Sequence, residues 1–257
     1  MPDFQPFIAF ANRLADAAGR VARRYFRAPV EVAYKADISP VTRADREIET
    51  LLRERIAAEF PDHGIVGEEF PSLAPEAEFV WVLDPIDGTR LFLAGLPLFA
   101  TLIALTRGGV PVLGLIDQPI TGERWIGGEG LASQCNGRAI RVRPCPELDR
   151  ALLCASSPHH FLGAEGGAFE RLRAAVSWTQ YGADGYGLAM IANGRIDLGV
   201  ETGLGPYDFL APAAVIAGAG GVATDWQGQP LTLGSGPRML AAGDARAHAR
   251  ALDRLAG

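Results

Sequence analysis

The chain has 257 residues, 48% of them hydrophobic, so it can bury the core of one large domain or of two joined lobes. Its 24 Lys and Arg residues against 30 Asp and Glu give a net charge of -6, which argues against a general electrostatic grip on nucleic acid or anionic lipid. Three cysteines without C-x-x-C spacing, four histidines without zinc-like spacing and no long apolar stretch predict a reduced, cytoplasmic protein without a secretion signal or membrane span.

Two amphipathic helices are predicted first. Apolar residues recur at helical spacing from Phe4 to Phe26, and Pro29 ends the run. A second helix is predicted to begin near Thr42, a suitable N-cap, and to end before Pro61. Asp45 is therefore expected in the first turn of a helix.

The next segments favour a sheet. Residues 63–70, HGIVGEEF, predict a short buried strand that ends in acids, and residues 71–78 predict a loop. Residues 79–83, FVWVL, form the apolar run of a covered strand, after which Pro85 keeps Asp84 extended. Apolar runs alternate with Gly and Pro turns from 98 to 130, which is typical of an antiparallel meander.

Helices and strands alternate beyond about residue 145. Strands are predicted at 152–157, 196–201 and 221–226, and helices at 166–176, 186–194 and 208–220. The glycines in GAGG at 218–221 are interpreted as a helix stop. We expect a layered α/β fold and a single domain over 1–257, with an N-terminal lobe of about 1–144 and a C-terminal lobe of about 145–257 that share a cleft.

Two acids stand three residues apart in DPIDGT, at 84–89. Acids in solvated turns are common, but Asp84 and Asp87 follow a buried strand and flank Pro85-Ile86, which favours a partly dry site. Two such close carboxylates repel each other unless a cation lies between them. With Glu68 and Glu69 nearby and no histidine or thiolate, the set favours Mg²⁺.

Gly88 and Thr89 follow these acids directly. If TRLF, at 89–92, opens a helix or tight turn, the two backbone amides can form a small nest for an anion. Cations beside an anion nest suggest a phosphate. A plain Asp-Gly turn is the more common alternative, but it does not account for the neighbouring carboxylates.

Three separate motifs together resemble the inositol monophosphatase family of metal-dependent, lithium-sensitive phosphomonoesterases. They are GEE at 67–69, DPIDGT at 84–89, and PYD at 206–208 followed by GAGG. The resemblance covers nearly the whole chain and implies an alternating αβαβα sandwich. It is closest to the bacterial histidinol-phosphatase branch, which favours Arg where Gln180 stands, Cys where Gly185 stands and Gly where Ala100 stands.

The resemblance also implies roles for individual residues. Two or three Mg²⁺ ions would be held by Glu68, Asp84, Asp87, Asp208 and the backbone carbonyl of Ile86. Substrate contacts are expected from Gly88, Thr89, Asp184, Glu201 and Asp208.

The attacking water is expected to be oriented by a pair of side chains. The resemblance implies Thr89 and Asp45 as this pair and as the group that helps to deprotonate the water, with Glu68 a rival. Lys35, the single lysine of the chain, falls in the loop that approaches the metal site in relatives. An ordinary surface lysine is the alternative reading.

The expected substrate is L-histidinol phosphate, in histidine biosynthesis, because Asp184 and Glu201 suit an alcohol that carries an ammonium and an imidazole. Inositol 1-phosphate and other small phosphomonoesters, including 3'-phosphoadenosine 5'-phosphate, are alternatives. A catalytically inert divalent-ion-binding module is an alternative of another class. Relatives imply a homodimer, and neither nucleic acid nor membrane is an expected partner.

Overall fold

The computed structural model describes residues 4–29, 32–34, 40–128 and 130–257. In these residues the helices are α1 (Gln5–Tyr25), α2 (Arg43–Glu59), α3 (Thr89–Leu93), α4 (Ala164–Arg173), α5 (Asp184–Ala192), α6 (Pro206–Gly218) and α7 (Ala245–Ala256). The strands are β1 (Val32–Tyr34), β2 (Pro40–Thr42), β3 (Gly64–Gly67), β4 (Phe79–Asp87), β5 (Ala100–Arg107), β6 (Val110–Gln118), β7 (Glu123–Gly128), β8 (Leu131–Cys135), β9 (Arg138–Ala139), β10 (Leu152–Ala155), β11 (Trp178–Tyr181), β12 (Leu198–Glu201), β13 (Val222–Thr224) and β14 (Met239–Ala242).

The first two predicted helices are confirmed as α1 and α2. Thr42 is the N-cap of α2: its hydroxyl accepts from the Ala44 and Asp45 N–H groups, and its own N–H donates to Asp45 Oδ2 at 2.8 Å. This capping box satisfies backbone donors that the first helical turn would otherwise leave open. It also fixes one oxygen of the Asp45 carboxylate.

The N-terminal sheet has the strand order β3-β4-β5-β6-β7-β8-β9. β3 pairs with β4 in parallel, and each later neighbour pairs antiparallel, which confirms the predicted meander. Along β4, Val80 and Val82 pack on one face while Trp81 and Leu83 pack on the other. Both faces of this sheet are therefore covered.

The C-terminal sheet has the strand order β11-β10-β12-β14-β13, with β11, β10 and β12 parallel and β14 antiparallel to both of its neighbours. The strands β10, β12 and β13 correspond to predicted segments, whereas β11, β14 and α7 were not predicted. β11 reads WTQY and lies at an edge, so it lacks a continuous apolar run. The buried face of α7 consists of Ala247, His248, Ala251 and Leu255, and this segment was not assigned from the sequence.

Five layers result from this arrangement. α1 and α2 cover the outer face of the N-terminal sheet, α5 and α6 lie between the two sheets, and α4 and α7 cover the outer face of the C-terminal sheet. The predicted αβαβα layering is confirmed. No helix in the described part of the chain is long and apolar enough to cross a membrane.

Acidic side chains from both sheets and from three helices come close together at one place. The strands β4 and β12 end there, and the first turns of α2, α5 and α6 begin there. In open α/β sheets, ligand sites form beyond the carboxyl ends of parallel strands, and the pairs β3 with β4 and β10 with β12 are parallel here.

Candidate active site

The end of β4 carries Asp84 and Asp87. The pairing of β4 with β5 shifts register between these two residues. The Ile86 N–H donates to Asp84 Oδ1 at 3.1 Å, and the Thr101 hydroxyl donates to the Pro85 carbonyl at 2.8 Å. The irregular end of the strand is thus held in one conformation by hydrogen bonds from both strands.

Asp208 joins these two acids from α6. It occupies the third position of that helix and accepts from the Gly205 N–H at 2.7 Å through Oδ2. One carboxylate oxygen from each of Asp84, Asp87 and Asp208 lies within 4.8 Å of the other two. The sequence-predicted metal ligands from β4 and α6 are therefore brought together.

Electrostatics at this cluster favour a bound cation. Burial, followed by the charges of Glu68 and Asp87, raises the pKa of Asp84 well above its usual range. Burial, followed by the charges of Asp184 and Asp208, does the same to the pKa of Asp87. No Arg or Lys in the described ranges forms an ion pair with Asp84 or Asp87. A divalent ion would offset this repulsion.

Glu68 lies beside this group, directly after β3. Its N–H donates to the Leu83 carbonyl at 3.3 Å, and its charge contributes to the raised pKa values of Asp84 and Asp45. It is not part of the group whose oxygens lie within 4.8 Å of one another. The structure thus places Glu68 at the border between the predicted metal ligands and Asp45.

Asp45 is buried next to this border. Burial raises its pKa to about 6, although its hydrogen bonds from Thr42 act in the opposite direction. Its Oδ1 is buried and has no hydrogen-bond partner among the described residues. This carboxylate therefore has one fixed oxygen and one oxygen available to a ligand.

Thr89 begins α3, as the TRLF segment predicted, after Gly88 with a left-handed φ of 78°. Its hydroxyl donates to the Ile86 carbonyl at 3.2 Å. Thr89 and Asp45 are not hydrogen-bonded to each other, because the Asp45 partner is Thr42. The predicted water-orienting pair therefore stays a prediction. Lys35 lies outside the described residues.

Glu201 ends β12 and faces the same region. Its Oε1 accepts from the Ser156 N–H at 2.7 Å and from the Ser156 hydroxyl at 2.9 Å. Its Oε2 is buried without a partner in the described part of the molecule. Burial raises the pKa of Glu201 to about 8, and the charge of Asp184 adds to this effect. A cation or a hydrogen-bond donor from a ligand would satisfy the second oxygen.

Asp184 begins α5 with a φ of 39°, a left-handed conformation that an aspartate adopts at some cost. The next residue, Gly185, donates its N–H to Asp87 Oδ2 at 2.7 Å. A Cβ atom on Gly185 would lie only 2.7 Å from that oxygen. In this chain a larger residue at 185 would therefore displace the Asp87 carboxylate from its present position.

Several residues around the site were not predicted. Ser156 holds Glu201, Thr101 holds the end of β4, and His160 lies near enough to Asp184 and Arg90 for both charges to affect its pKa, which burial lowers. No local sequence signal distinguishes these residues. Glu49 could have been identified from the sequence, because it lies four residues after Asp45 and therefore on the same face of α2.

The donor set fits a hard divalent ion such as Mg²⁺. The three gathered side chains, Asp84, Asp87 and Asp208, are all carboxylates, and carboxylate oxygens are the ligands that this ion takes from proteins. The repulsion within the cluster and the unpartnered Asp45 Oδ1 are features that a bound ion and its water would relieve. The gathered residues can therefore hold a metal beside an anionic group.

Three comparisons with known proteins agree on the kind of protein. Residues 3–256 match the model of the inositol monophosphatase family. The chain is 46% identical over 258 residues to the bifunctional phosphatase IMPL2 of Arabidopsis thaliana, covering 97% of this chain and 75% of the relative. It is 34% identical over 226 residues to a histidinol-phosphatase of Chlorobaculum parvum, covering 87% of each. The solved structure of an inositol monophosphatase from Zymomonas mobilis superposes with a TM-score of 0.92, at 43% identity and with all of both chains covered.

Proposed function

The chain belongs to the inositol monophosphatase family and is a metal-dependent phosphoric monoester hydrolase, and from that premise we propose that its substrate is L-histidinol phosphate. The products would be L-histidinol and inorganic phosphate. The observation that carries the proposal is the convergence of Asp84, Asp87 and Asp208 within 4.8 Å of one another, beside the unpartnered Oε2 of Glu201.

The proposed metal ligands are Glu68, Asp84, Asp87, Asp208 and the Ile86 carbonyl, with two or three Mg²⁺ ions per site. When bound, Mg²⁺ would supply positive charge to the phosphate and lower the pKa of water. The hydrogen bonds from Gly185 to Asp87 and from Gly205 to Asp208 orient these carboxylates before any ligand arrives.

The protein groups proposed to act on the water are Asp45 and Thr89, with Glu68 as the rival. A carboxylate with a pKa of about 6 is suited to accept a proton near neutral pH. Its unpartnered Oδ1 is available to a water molecule, whereas its Oδ2 is held by Thr42. The amides of Gly88 and Thr89 are proposed to bind phosphate oxygens as negative charge shifts during the reaction.

The choice of alcohol is proposed to depend on Asp184 and Glu201. Their mutual repulsion contributes to the raised pKa of Glu201, so a ligand that carries a cation would favour the ionised form of Glu201 and would then contact two carboxylates. Histidinol carries an ammonium group and an imidazole, whereas inositol is neutral. The Chlorobaculum relative, which is named for histidinol-phosphatase activity, supports this choice.

Inositol 1-phosphate is the second candidate substrate. A Glu201 that is protonated at neutral pH, as its pKa of about 8 implies, can donate a hydrogen bond to a ring hydroxyl. The Zymomonas relative, whose structure superposes over the whole chain, is named an inositol monophosphatase.

The test is phosphate release from a side-by-side panel of histidinol phosphate, inositol 1-phosphate and 3'-phosphoadenosine 5'-phosphate, with Mg²⁺ and with a chelator. We expect release only with Mg²⁺, and a kcat/KM for histidinol phosphate more than about tenfold above that for inositol 1-phosphate, because one additional charged contact is worth at least that much. Comparable values would defeat the substrate assignment. A protein that binds Mg²⁺ but hydrolyses no monoester would be the inert module.

The homodimer, and the single domain with lobes of about 1–144 and 145–257, are proposals that follow from the family resemblance. Sedimentation of the purified chain tests the first, and the cooperativity of its unfolding tests the second.

A further inference from the structure

An ion pair on α2, between the buried Glu49 and the partly buried Arg53, lies directly behind the strand end that carries Glu68. Glu49 has a fully buried side chain, and Arg53, one turn further along the helix, pairs with it at 2.7 Å from Nε to Oε1. Buried pairs of this kind add little to stability on balance, because removing both charges from water is costly. A role other than stability is therefore suggested by the hydrogen bonds that Glu49 and Arg53 make with the neighbouring backbone.

The pair holds the two residues after Glu68 by their backbone. The Glu69 N–H donates to Glu49 Oε2 at 2.8 Å, and the Phe70 carbonyl accepts from Arg53 Nη2 at 3.0 Å. On the other side of Glu68, its own N–H donates to the Leu83 carbonyl, and Gly67 pairs with Leu83 in the parallel ladder. The backbone of Glu68 is thus fixed from both directions.

Gly67 shows how closely Glu49 approaches this segment. A Cβ atom on Gly67 would lie 2.1 Å from Glu49 Oε1, a distance at which no side chain fits. The end of β3 and the Glu49 carboxylate therefore occupy adjoining space without a gap. A change at Glu49 would be transmitted to the backbone of residues 67–69.

We propose that Glu49 and Arg53 are a positioning pair that aims the Glu68 carboxylate at the Asp84 side of the site and so sets the affinity of the site for its divalent ion. The inference rests on the proposed metal-dependent function. Neither residue is a predicted ligand. Groups that orient metal ligands from behind commonly change metal affinity by about 10–100-fold when they are removed.

The decisive comparison is Glu49→Ala against Glu54→Ala. Both substitutions remove one carboxylate from α2, but Glu54 is on the exposed face of the helix. We expect Glu49→Ala to raise the Mg²⁺ concentration for half-maximal phosphate release about tenfold, and to weaken Mg²⁺ or Mn²⁺ binding measured by calorimetry by a similar factor. Glu54→Ala should change neither quantity.

Saturation with Mg²⁺ separates positioning from a purely structural role. Since the predicted ligands are all present in Glu49→Ala, we expect excess Mg²⁺ to restore kcat to within about threefold of the wild-type value. If Glu49 only supported the fold, its replacement would lower the melting temperature and leave the Mg²⁺ dependence of the folded fraction unchanged. That second outcome, in a folded variant, overturns the inference.

Glu49→Gln keeps the test open if the alanine variant does not fold. The glutamine retains one oxygen that can accept from Glu69, but its amide NH₂ cannot accept from Arg53. We expect a smaller increase in the Mg²⁺ requirement, and a wild-type requirement in folded Glu49→Gln would overturn the proposal. Wild-type protein without Mg²⁺-dependent phosphate release would instead overturn the proposed function, before any variant is compared.

Discussion

A buried carboxylate lies at each end of strand β12, and the two differ in their hydrogen-bond and ion-pair partners. Asp197, just before the strand, accepts two hydrogen bonds from Arg143, each 2.6 Å long, and one from the Leu152 N–H at 2.8 Å. Glu201, at the other end, accepts from Ser156 through one oxygen and leaves the second without a partner in the described residues. The carboxylate at one end of β12 is thus paired with an arginine of the same chain, and the carboxylate at the other end has no ion-pair partner among the described residues.

This comparison distinguishes buried carboxylates that are paired with an arginine of the chain from buried carboxylates that are not. A carboxylate that pairs with an arginine from its own chain stabilises the fold, as at Asp197. Asp84, Asp87 and Glu201 have no ion-pair partner among the described residues, and burial raises their pKa values, so either a bound proton or a cation from a ligand neutralises them. At β12 the carboxylate before the strand is paired with Arg143, and the carboxylate that ends the strand is the one that we propose contacts the substrate.

Asp87→Asn and Asp197→Asn give the largest expected contrast. Asp87→Asn should lower kcat by about 10²–10³-fold or more, because it removes a metal ligand and its charge. In metal-free protein it should raise the melting temperature, since it relieves repulsion. Asp197→Asn should leave kcat nearly unchanged and cost about 1–3 kcal/mol of unfolding free energy, because it weakens a paired hydrogen-bond network. Steady-state kinetics with Mg²⁺ check the kcat values, and thermal unfolding in the presence of a chelator checks the stability of both variants.

Mg²⁺ sharpens the same contrast. At a concentration of about 100 Kd the ion should raise the melting temperature of wild-type and Asp197→Asn protein by about 5–10 °C, and that of Asp87→Asn by much less. An equal shift in all three would mean that the ion binds elsewhere.

Gly185→Ala should have the next largest effect. The new Cβ would lie 2.7 Å from Asp87 Oδ2, so either α5 or the carboxylate must move. We expect kcat to fall by about 10–100-fold, since small displacements of reacting groups have effects of this size. Gly167→Ala in α4 is the matched control, because its Cβ would meet its nearest neighbour at an ordinary 3.7 Å. Unchanged activity in Gly185→Ala would show that the close approach has no role in catalysis.

Asp184→Asn should mainly change substrate preference. Asparagine tolerates the left-handed backbone that Asp184 adopts, so the substitution removes the charge with little added strain. The ratio of kcat/KM for histidinol phosphate to that for inositol 1-phosphate should fall about tenfold, because a charge-assisted contact is lost. Asp253→Asn, on α7 away from the site, is the control. An equal loss on both substrates would mean that Asp184 does not discriminate between alcohols.

The smallest expected effect is in the pH dependence of stability. Glu201 titrates at 4.5 in its ordinary state and at about 8 in the folded protein, so the folded protein holds a proton that the unfolded chain has lost. Its contribution to stability is complete below about 4.5 and is lost as the pH rises through about 8. Between pH 7 and 8 the free energy of unfolding of metal-free protein should therefore fall as the pH rises, by at most about 1.4 kcal/mol per pH unit. The decrease should be smaller in Glu201→Gln.

Histidines whose pKa is lowered by burial contribute below this window. Burial lowers the pKa values of His63 and His248, so their contributions change below their ordinary value of 6.5. Equal slopes in wild-type protein and Glu201→Gln between pH 7 and 8 would contradict the raised pKa of Glu201.

Much of the fold follows from local pattern. The apolar spacing of α1 and α2, the Thr42 cap and the covered strand before Asp84 are readable because each depends on residues within a few positions of one another. The elements that were missed are short or alanine-rich. β14 has four residues, and its pairing with β12 and β13 comes from tertiary packing, which a local pattern does not encode.

The amino-acid sequence shows the chemical groups that we propose bind a metal and a phosphate: two acids after a buried strand, a glycine turn, and acids in the first turns of helices. Which of these groups come together depends on how the chain folds. The hydrogen bond from Gly185 to Asp87 joins residues 98 positions apart, and that from Glu69 to Glu49 joins residues 20 apart. Burial and the distances between charges, which set the pKa values of Asp84 and Glu201, exist only once the two sheets have packed around α5 and α6.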